Sequence, residues 1–187
     1  VEESDVFVFT LGLTECWLNA DDGMAYPICP GCGAGEHIPD KHKFTNLSVN
    51  EVVDDLKAAV DFMQARNPDL KILLTVSPVP LIASYSGDHV LTATTYSKSV
   101  LRVAAQMVCD LYPSVDYFPS YEIITGNFSG GSYYAEDLRE VRPEGVHHAM
   151  TCFFRHYLGV EMTDQVPADG PKASASQKSA RPTLAAS

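Results

Sequence analysis

Two continuous apolar runs, separated by one amphipathic pattern, constrain the fold of this chain more than any other feature. The first run, DVFVFTL at residues 5–11, ends in Gly12, and the second, KILLTV at 71–76, ends in Ser77-Pro78. Short unbroken runs of β-branched and aromatic residues are typical of parallel strands that are buried on both faces. Because parallel neighbours need a crossover connection, the sequence predicts a strand–helix–strand unit in a parallel sheet.

The connecting helix is predicted over residues 48–66. Ser48 and Glu51 fit a capping box at its start, and Asn67-Pro68 stops it. Between these signals, apolar residues recur at helical spacing: Val52, Val53, Leu56, Ala59, Val60 and Met63.

The remaining pattern extends the same architecture. We expect a long loop over 19–46, a loop over 81–94, a helix over 96–112, a third strand over 115–118 and a last helix with Pro143 in its first turn. Strands that alternate with helices predict an α/β fold, here a three-layer α/β/α sandwich with a parallel sheet. Residues 1–159 form one domain in this interpretation. The Pro-, Ala-, Ser- and Lys-rich segment 160–187 is expected to be a disordered tail.

Composition narrows the function classes. The formal net charge of −11 lies in residues 1–159, and such a surface repels phosphate backbones, so we expect no nucleic-acid partner. No apolar run approaches the roughly 20 residues that a membrane helix needs, and no signal peptide is visible. Five cysteines, an odd number, argue against a disulfide framework and favour a cytoplasmic location. The chain begins with Val1, and we interpret it as a truncation of a longer protein.

Candidate chemistry lies where the strands end. In an open parallel sheet, ligands bind at the carboxyl ends of the strands. Three segments reach that edge: residues 12–15, residues 77–80 and the region after Phe118. The loop 133–142 is expected to return to the same edge. We therefore expect the site to be built from these segments.

Five blocks of the sequence resemble the GSCFA family, an outlying branch of the SGNH (GDSL-like) hydrolases. They occur in the family's order and span most of residues 1–159: TLGLTECW at 10–17, TVSPVPL at 75–81, TYSKSVLR at 95–102, YFPSYEII at 117–124 and YAEDLR at 134–139. The resemblance implies an SGNH-like, flavodoxin-like sandwich. It also implies a serine esterase or acyl-transfer enzyme that acts on small-molecule or glycan acyl esters without a cofactor.

The family's name comes from a Gly-Ser-Cys-Phe-Ala motif near its start, whose serine resembles the SGNH nucleophile. That motif is absent from this chain. The resemblance therefore implies a portion of a GSCFA domain that is incomplete at its N-terminus, with the nucleophile outside these 187 residues and no activity on its own.

Individual residues acquire roles from the resemblance. Gly12 and Thr14 stand where SGNH enzymes have Gly-x-Asn-Asp, so Gly12 would let backbone approach the substrate and Thr14 would donate to the oxyanion. Ser77 would hydrogen-bond the substrate. Asp137 resembles the aspartate of the Asp-x-x-His block, which orients the general base, but Glu140 stands in the histidine position.

That departure leaves several alternatives. The base is His89, His148 or Glu140 itself, and His89 is the candidate we adopt. Each residue also has an ordinary structural explanation: strand end, turn or surface histidine. If catalysis has been lost, the chain is a non-catalytic carbohydrate-binding or interaction module. The presence of Glu140 in the position of the catalytic histidine favours this alternative.

A cysteine and histidine cluster is a weaker third candidate. Cys29, Cys32, His37 and His42 have the residue types and close spacing of a small zinc site. The spacing resembles that of a zinc knuckle, but zinc knuckles are usually basic and bind single-stranded nucleic acid, whereas this chain is acidic. The resemblance to the GSCFA family also continues through this segment. We expect no metal there.

Overall fold

The computed structural model describes residues 1–33 and 35–161, so the predicted tail lies almost wholly outside the described residues. The strands are β1 (Val6–Leu11), β2 (Glu15–Asn19), β3 (His42–Asn46), β4 (Lys71–Val76) and β5 (Val115–Tyr117). The helices are α1 (Val49–Gln64), α2 (Val90–Leu111), α3 (Ser120–Thr125) and α4 (Pro143–Phe153), which continues as a π-helical turn over Phe154–Leu158. A short 3₁₀ helix spans Asn127–Ser129.

A parallel three-stranded sheet is the centre of the fold. Its order is β1-β4-β5, with Val6 opposite Lys71 and Ile72 opposite Val115. Helices α1 and α2 pack together on one face of the sheet, and α3 and α4 pack on the other. This arrangement confirms the three-layer α/β/α sandwich. Within the described residues, no helix is both long enough and apolar enough to cross a membrane.

The core lies between the sheet and the pair α1–α2. In β4, Ile72, Leu74 and Val76 point to this side and are almost fully buried. Alternate residues of a strand face opposite sides, so Leu73 and Thr75 point to the α3–α4 side. The capping box at Ser48 forms as predicted, with bonds from the backbone of Glu51 to the Ser48 hydroxyl and back from Ser48 to the Glu51 carboxylate.

Strand β1 lies at the edge of the sheet, and grooves line it on both faces. Val6 and Val8 on its α4 side are 53% and 50% exposed. A pocket of about 390 Å³ opens beside Val8 and is lined by apolar side chains of α4. On the opposite face, a second groove lies between β1 and α1. Strand β1 therefore lacks the cover that β4 has on both faces.

Two predicted boundaries are wrong. The segment 19–46 is not all loop, because β3 forms within it and pairs antiparallel with β2, with Trp17 opposite Phe44. Helix α2 begins at Val90, inside the predicted loop 81–94, because the His89 side chain caps it by accepting a hydrogen bond from the Leu91 N–H. Histidine is not among the usual capping residues, so the pattern gave no start signal there.

Candidate functional site

A pocket of about 380 Å³ lies at the carboxyl ends of β1 and β4, where the site was expected. The segments after both strands form its floor and walls, and α2 and the loop 133–142 close it. Its lining consists of Gly12, Leu13, Ser77, Val79, Pro80, Leu81, Ile82, Ala83, Lys98 and Arg139. Two predicted site residues, Gly12 and Ser77, thus share one pocket.

Gly12 and Ser77 are held at neighbouring strand ends by the sheet itself. The Ser77 N–H donates to the Leu11 carbonyl oxygen at 2.8 Å, and the Ser77 hydroxyl accepts a bond from the Val79 N–H at 3.3 Å. A Cβ atom added to Gly12 would meet nothing within 4 Å. The space above Gly12 is therefore open, which leaves its backbone accessible to a small ligand.

Lys98 is a site residue that the sequence reasoning missed. It lies on α2 and is only 1% exposed, and its Nζ donates to the Gly12 carbonyl oxygen at 2.7 Å. Among the described residues, this is its one hydrogen bond, and no carboxylate lies within 4 Å of the amine. Burial lowers the pKa of Lys98 from 10.5 to about 8, because desolvation penalises the charged form. The amine is still mostly protonated at neutral pH.

A signal for Lys98 was present in the helix pattern. Leu101 and Ala105, three and seven residues further along α2, are both buried, and Lys98 therefore lies in the apolar stripe of the helix. Lysine is almost never fully buried unless its charge is paired, so a lysine in an apolar stripe indicates a buried polar contact.

Arg139 reaches the pocket from a tight turn. Its Nη2 donates to the Pro80 carbonyl oxygen at 3.3 Å, and its Nε is buried without a partner among the described residues. The turn is closed by Asp137, whose carboxylate accepts bonds from the N–H groups of Arg139 and Glu140 at 3.0 and 2.9 Å. Leu138 between them has a left-handed φ of 55°, uncommon for a residue with a side chain. The loop 133–142 thus returns to the predicted edge.

Asp137 is a turn-closing residue in this structure. The two backbone hydrogen bonds, first that from Arg139, hold the pKa of its carboxyl below its usual range. Asp137 is exposed, and among the described residues no histidine bonds to it. The structure therefore does not bring Asp137 and His89 together.

His89 is exposed at the start of α2. Its Nδ1 accepts the bond from the Leu91 N–H at 3.2 Å. In a Ser-His-Asp triad this same nitrogen donates to the aspartate. The other two base candidates lie elsewhere: His148 bonds the Tyr133 hydroxyl at 2.8 Å, and the Glu140 side chain is exposed.

Thr14 is fully buried beneath the pocket. Its hydroxyl donates to Asn46 Oδ1 at 2.6 Å, and its N–H donates to the Ser97 hydroxyl at 2.8 Å. These bonds tie the start of β2 to β3 and α2. For Thr14 to donate to an oxyanion, as predicted, its hydroxyl would have to leave Asn46.

The loop over the pocket is fastened to the β2–β3 hairpin. The Glu15 carboxylate accepts bonds from the Ser84 hydroxyl and, at 3.3 Å, from the Tyr85 N–H. The Tyr85 ring packs on Trp17 and Phe44, with ring centroids 4.7 and 5.3 Å away. The hairpin that the sequence did not predict thus positions Ile82 and Ala83 in the pocket wall.

The cysteine and histidine cluster forms no metal-binding arrangement in the part of the chain that the structure describes. Cys29 and Cys32 lie at the two ends of an exposed turn. His37 packs its ring against Trp17, and His42 Nδ1 accepts a bond from the Ile38 N–H at 3.0 Å. Both rings have ordinary structural contacts.

The described residues form an α/β protein with a pocket at the carboxyl ends of its parallel strands. The GSCFA family model matches residues 1–153, and the chain belongs to the GSCFA family. No curated protein and no solved structure matches the chain.

Proposed function

We propose that this chain is part of an SGNH-type esterase or acyl-transfer enzyme that acts on acyl esters, including those of acylated glycans. The observation that carries the proposal is membership of the GSCFA family over residues 1–153. The pocket supports it, because Gly12 and Ser77 line one concave site at the strand ends, the position at which α/β sheets bind ligands.

In this proposal the serine nucleophile comes from a segment outside these 187 residues. The edge of β1 supports that step, because a strand paired there would end beside Gly12. The exposed Val6 and Val8 and the grooves on both faces of β1 are the apolar surface that such a strand and its helix would cover. An acylated substrate would then lie between the serine and the pocket.

The remaining roles follow the family's chemistry. Gly12 and Thr14 stabilise the oxyanion, Ser77 contacts the substrate, and Asp137 orients the histidine base. His89 is the proposed base because its Nε2 has no partner among the described residues, and that nitrogen takes the proton in a triad. In this proposal the Nδ1 atom of His89 must give up its hydrogen bond with the Leu91 N–H and bond to Asp137 instead.

The test is active-site labelling of the complete gene product. A fluorophosphonate probe should label one serine covalently, and acetyl esters should be turned over. Labelling should persist in Ser77→Ala, since Ser77 is not the nucleophile in this proposal. Absence of both labelling and turnover would refute it.

One alternative is a non-catalytic carbohydrate-binding or interaction module on the same scaffold. Two observations favour it: the Thr14 hydroxyl is satisfied by Asn46, and Asp137 closes a turn rather than bonding a histidine. Saturable glycan binding by a protein that neither labels nor hydrolyses esters would support the module.

A further inference from the structure

We propose that the pocket between Gly12, Ser77, Lys98 and Arg139 binds an anionic group, a carboxylate or a phosphate, whose apolar neighbour lies against the rim of the pocket. The identification of this ligand as the acyl substrate rests on the proposed function. The anion site itself depends only on the geometry of the pocket.

Charge is the first argument. The lining contains two cationic side chains, Lys98 and Arg139, and no carboxylate. The chain as a whole carries a formal charge of −11, whereas the lining of this pocket carries two positive charges and no negative one. A concave site lined by one sign of charge concentrates ions of the opposite sign.

The state of Lys98 is the second argument. Buried ammonium groups are normally paired with a carboxylate, because desolvation of an isolated charge is costly. Here the partner among the described residues is a neutral carbonyl oxygen, that of Gly12, and an ammonium has three donors. An apolar residue would fill the α2 stripe at lower cost. A bound anion would supply the missing partner.

Arg139 provides an independent argument. Its Nε is buried and has no acceptor among the described residues, while one Nη binds Pro80. A guanidinium presents its donors as a planar fork that matches a carboxylate or phosphate. The turn that carries Arg139 to the pocket holds Leu138 at a left-handed φ of 55°.

The rim supplies the apolar part of the recognition. Leu13, Val79 and Ile82 line the pocket and are 44%, 40% and 77% exposed. A ligand with an anionic group at Lys98 and Arg139 and a short apolar chain would cover them. A volume of about 380 Å³ suits a small molecule or one substituent of a larger one.

The test measures ligand-induced stabilisation of the complete gene product at pH 7 and constant ionic strength. The probes are monomethyl succinate and inorganic phosphate, with neutral dimethyl succinate as the control. We expect a saturable rise in Tm with at least one anion and none with the neutral diester. A response to monomethyl succinate alone assigns a carboxylate, and a response to phosphate alone assigns a phosphoryl group. Absence of a saturable response to both anions, or an equal response to the diester, overturns the proposal.

Variants locate the site. Arg139→Gln and Lys98→Met should each weaken binding by roughly tenfold or more, since each removes a charge-assisted hydrogen bond. Lys71→Met and Arg142→Gln are matched controls, because both cations are exposed and lie outside the pocket. If Lys98→Met does not fold, Arg139→Gln is the deciding variant. Anion binding by Arg139→Gln that equals binding by the unmodified protein would refute the site.

The outcome is separable from that of the proposed function. If anions bind but the complete gene product is neither labelled nor turns over acetyl esters, the pocket stands and the esterase proposal falls. If neutral acetyl esters are hydrolysed but no anion binds, the esterase proposal stands and the anion site falls.

Discussion

The ammonium group of Lys98 lies 2.7 Å from the carbonyl oxygen of Gly12, at the point where β1 ends and the pocket begins. This contact joins the middle of the sequence to its start and places a cation in the lining of the candidate site. The amine is almost fully buried, so its charge affects both stability and ligand binding.

Replacement of Lys98 by Met should remove a pH dependence of stability. The pKa of Lys98 is about 8 in the folded protein and 10.5 in water, so between these values the unfolded chain binds more protons than the folded one. The free energy of unfolding of the unmodified protein should therefore rise with pH across this window, by on the order of 3 kcal/mol from this group. Lys98→Met should lack that rise. Denaturant unfolding at pH 7 to 10 measures it.

Lys71→Met is the control, because Lys71 is an exposed lysine at the end of β4 that lies away from the pocket. It should keep the pH dependence of the unmodified protein. Equal slopes for Lys98→Met and the unmodified protein would contradict the assignment of a lowered pKa to Lys98.

A comparison of Thr14 with Thr45 tests how much a hydrogen-bonded buried hydroxyl contributes to the free energy of unfolding. The Thr14 hydroxyl bonds Asn46, whereas the Thr45 hydroxyl is buried without a partner among the described residues. Thr14→Val should reduce the free energy of unfolding by about 1–3 kcal/mol, because it leaves Asn46 unsatisfied. Thr45→Val should be neutral or stabilising. Equal effects in urea titrations would show that the Thr14 network is not formed.

Asp137→Asn separates charge from turn geometry. The Asn carbonyl can still accept bonds from the N–H groups of Arg139 and Glu140, so the turn should persist. If Asp137 orients the base as proposed, ester turnover by the complete gene product should fall by about 10⁴-fold. Glu136→Gln, an exposed neighbour, is the control. An unchanged rate in Asp137→Asn would remove Asp137 from the triad.

Val8→Asp tests whether another segment covers β1. Val8 and Val103 are both 50% exposed, but Val8 lies on the edge strand beside an apolar pocket and Val103 lies on α2. In the complete gene product Val8→Asp should cost about 3 kcal/mol or more, because it buries an unpaired charge. Val103→Asp should cost much less. Similar melting temperatures for the two variants would count against a covered β1.

The cysteine and histidine cluster gives a prediction about metal. Purified protein should contain no stoichiometric zinc, and a chelator should leave its melting temperature unchanged, because the described residues form no group of three potential ligands. Cys29→Ser should behave like the unmodified protein. One zinc per chain by elemental analysis, lost in Cys29→Ser, would reverse this conclusion.

Elements with local signals were predictable from the sequence. Helix α1 follows its capping box at Ser48, β4 follows its apolar run, and α4 begins at Pro143 as expected. Each of these signals lies within the element or next to it. The edge at which Gly12 and Ser77 meet was also predictable, because parallel strands present their carboxyl ends on one side.

Elements that depend on distant partners were not predictable. Strand β3 pairs along its whole length with β2, and Phe44 lies opposite Trp17, which is 27 residues earlier. The capping of α2 by His89 follows no common rule. The roles predicted for Thr14 and Asp137 came from the family's motif, and the structure places both side chains in hydrogen bonds within the chain, to Asn46 and to the turn backbone.

The sequence by itself determined the layers of this protein, since helix and strand periodicities and caps are properties of neighbouring residues. It also determined the family, since five blocks occur in order. Only the tertiary structure decided which side chains share the pocket. Lys98 and Arg139 come from α2 and from the turn after Asp137, and they meet Gly12 because the sheet, the helix and the loop pack together. The helix pattern placed Lys98 on the apolar face of α2, but which groups its ammonium meets depends on contacts with residues far away in the sequence, and no local pattern encodes those contacts.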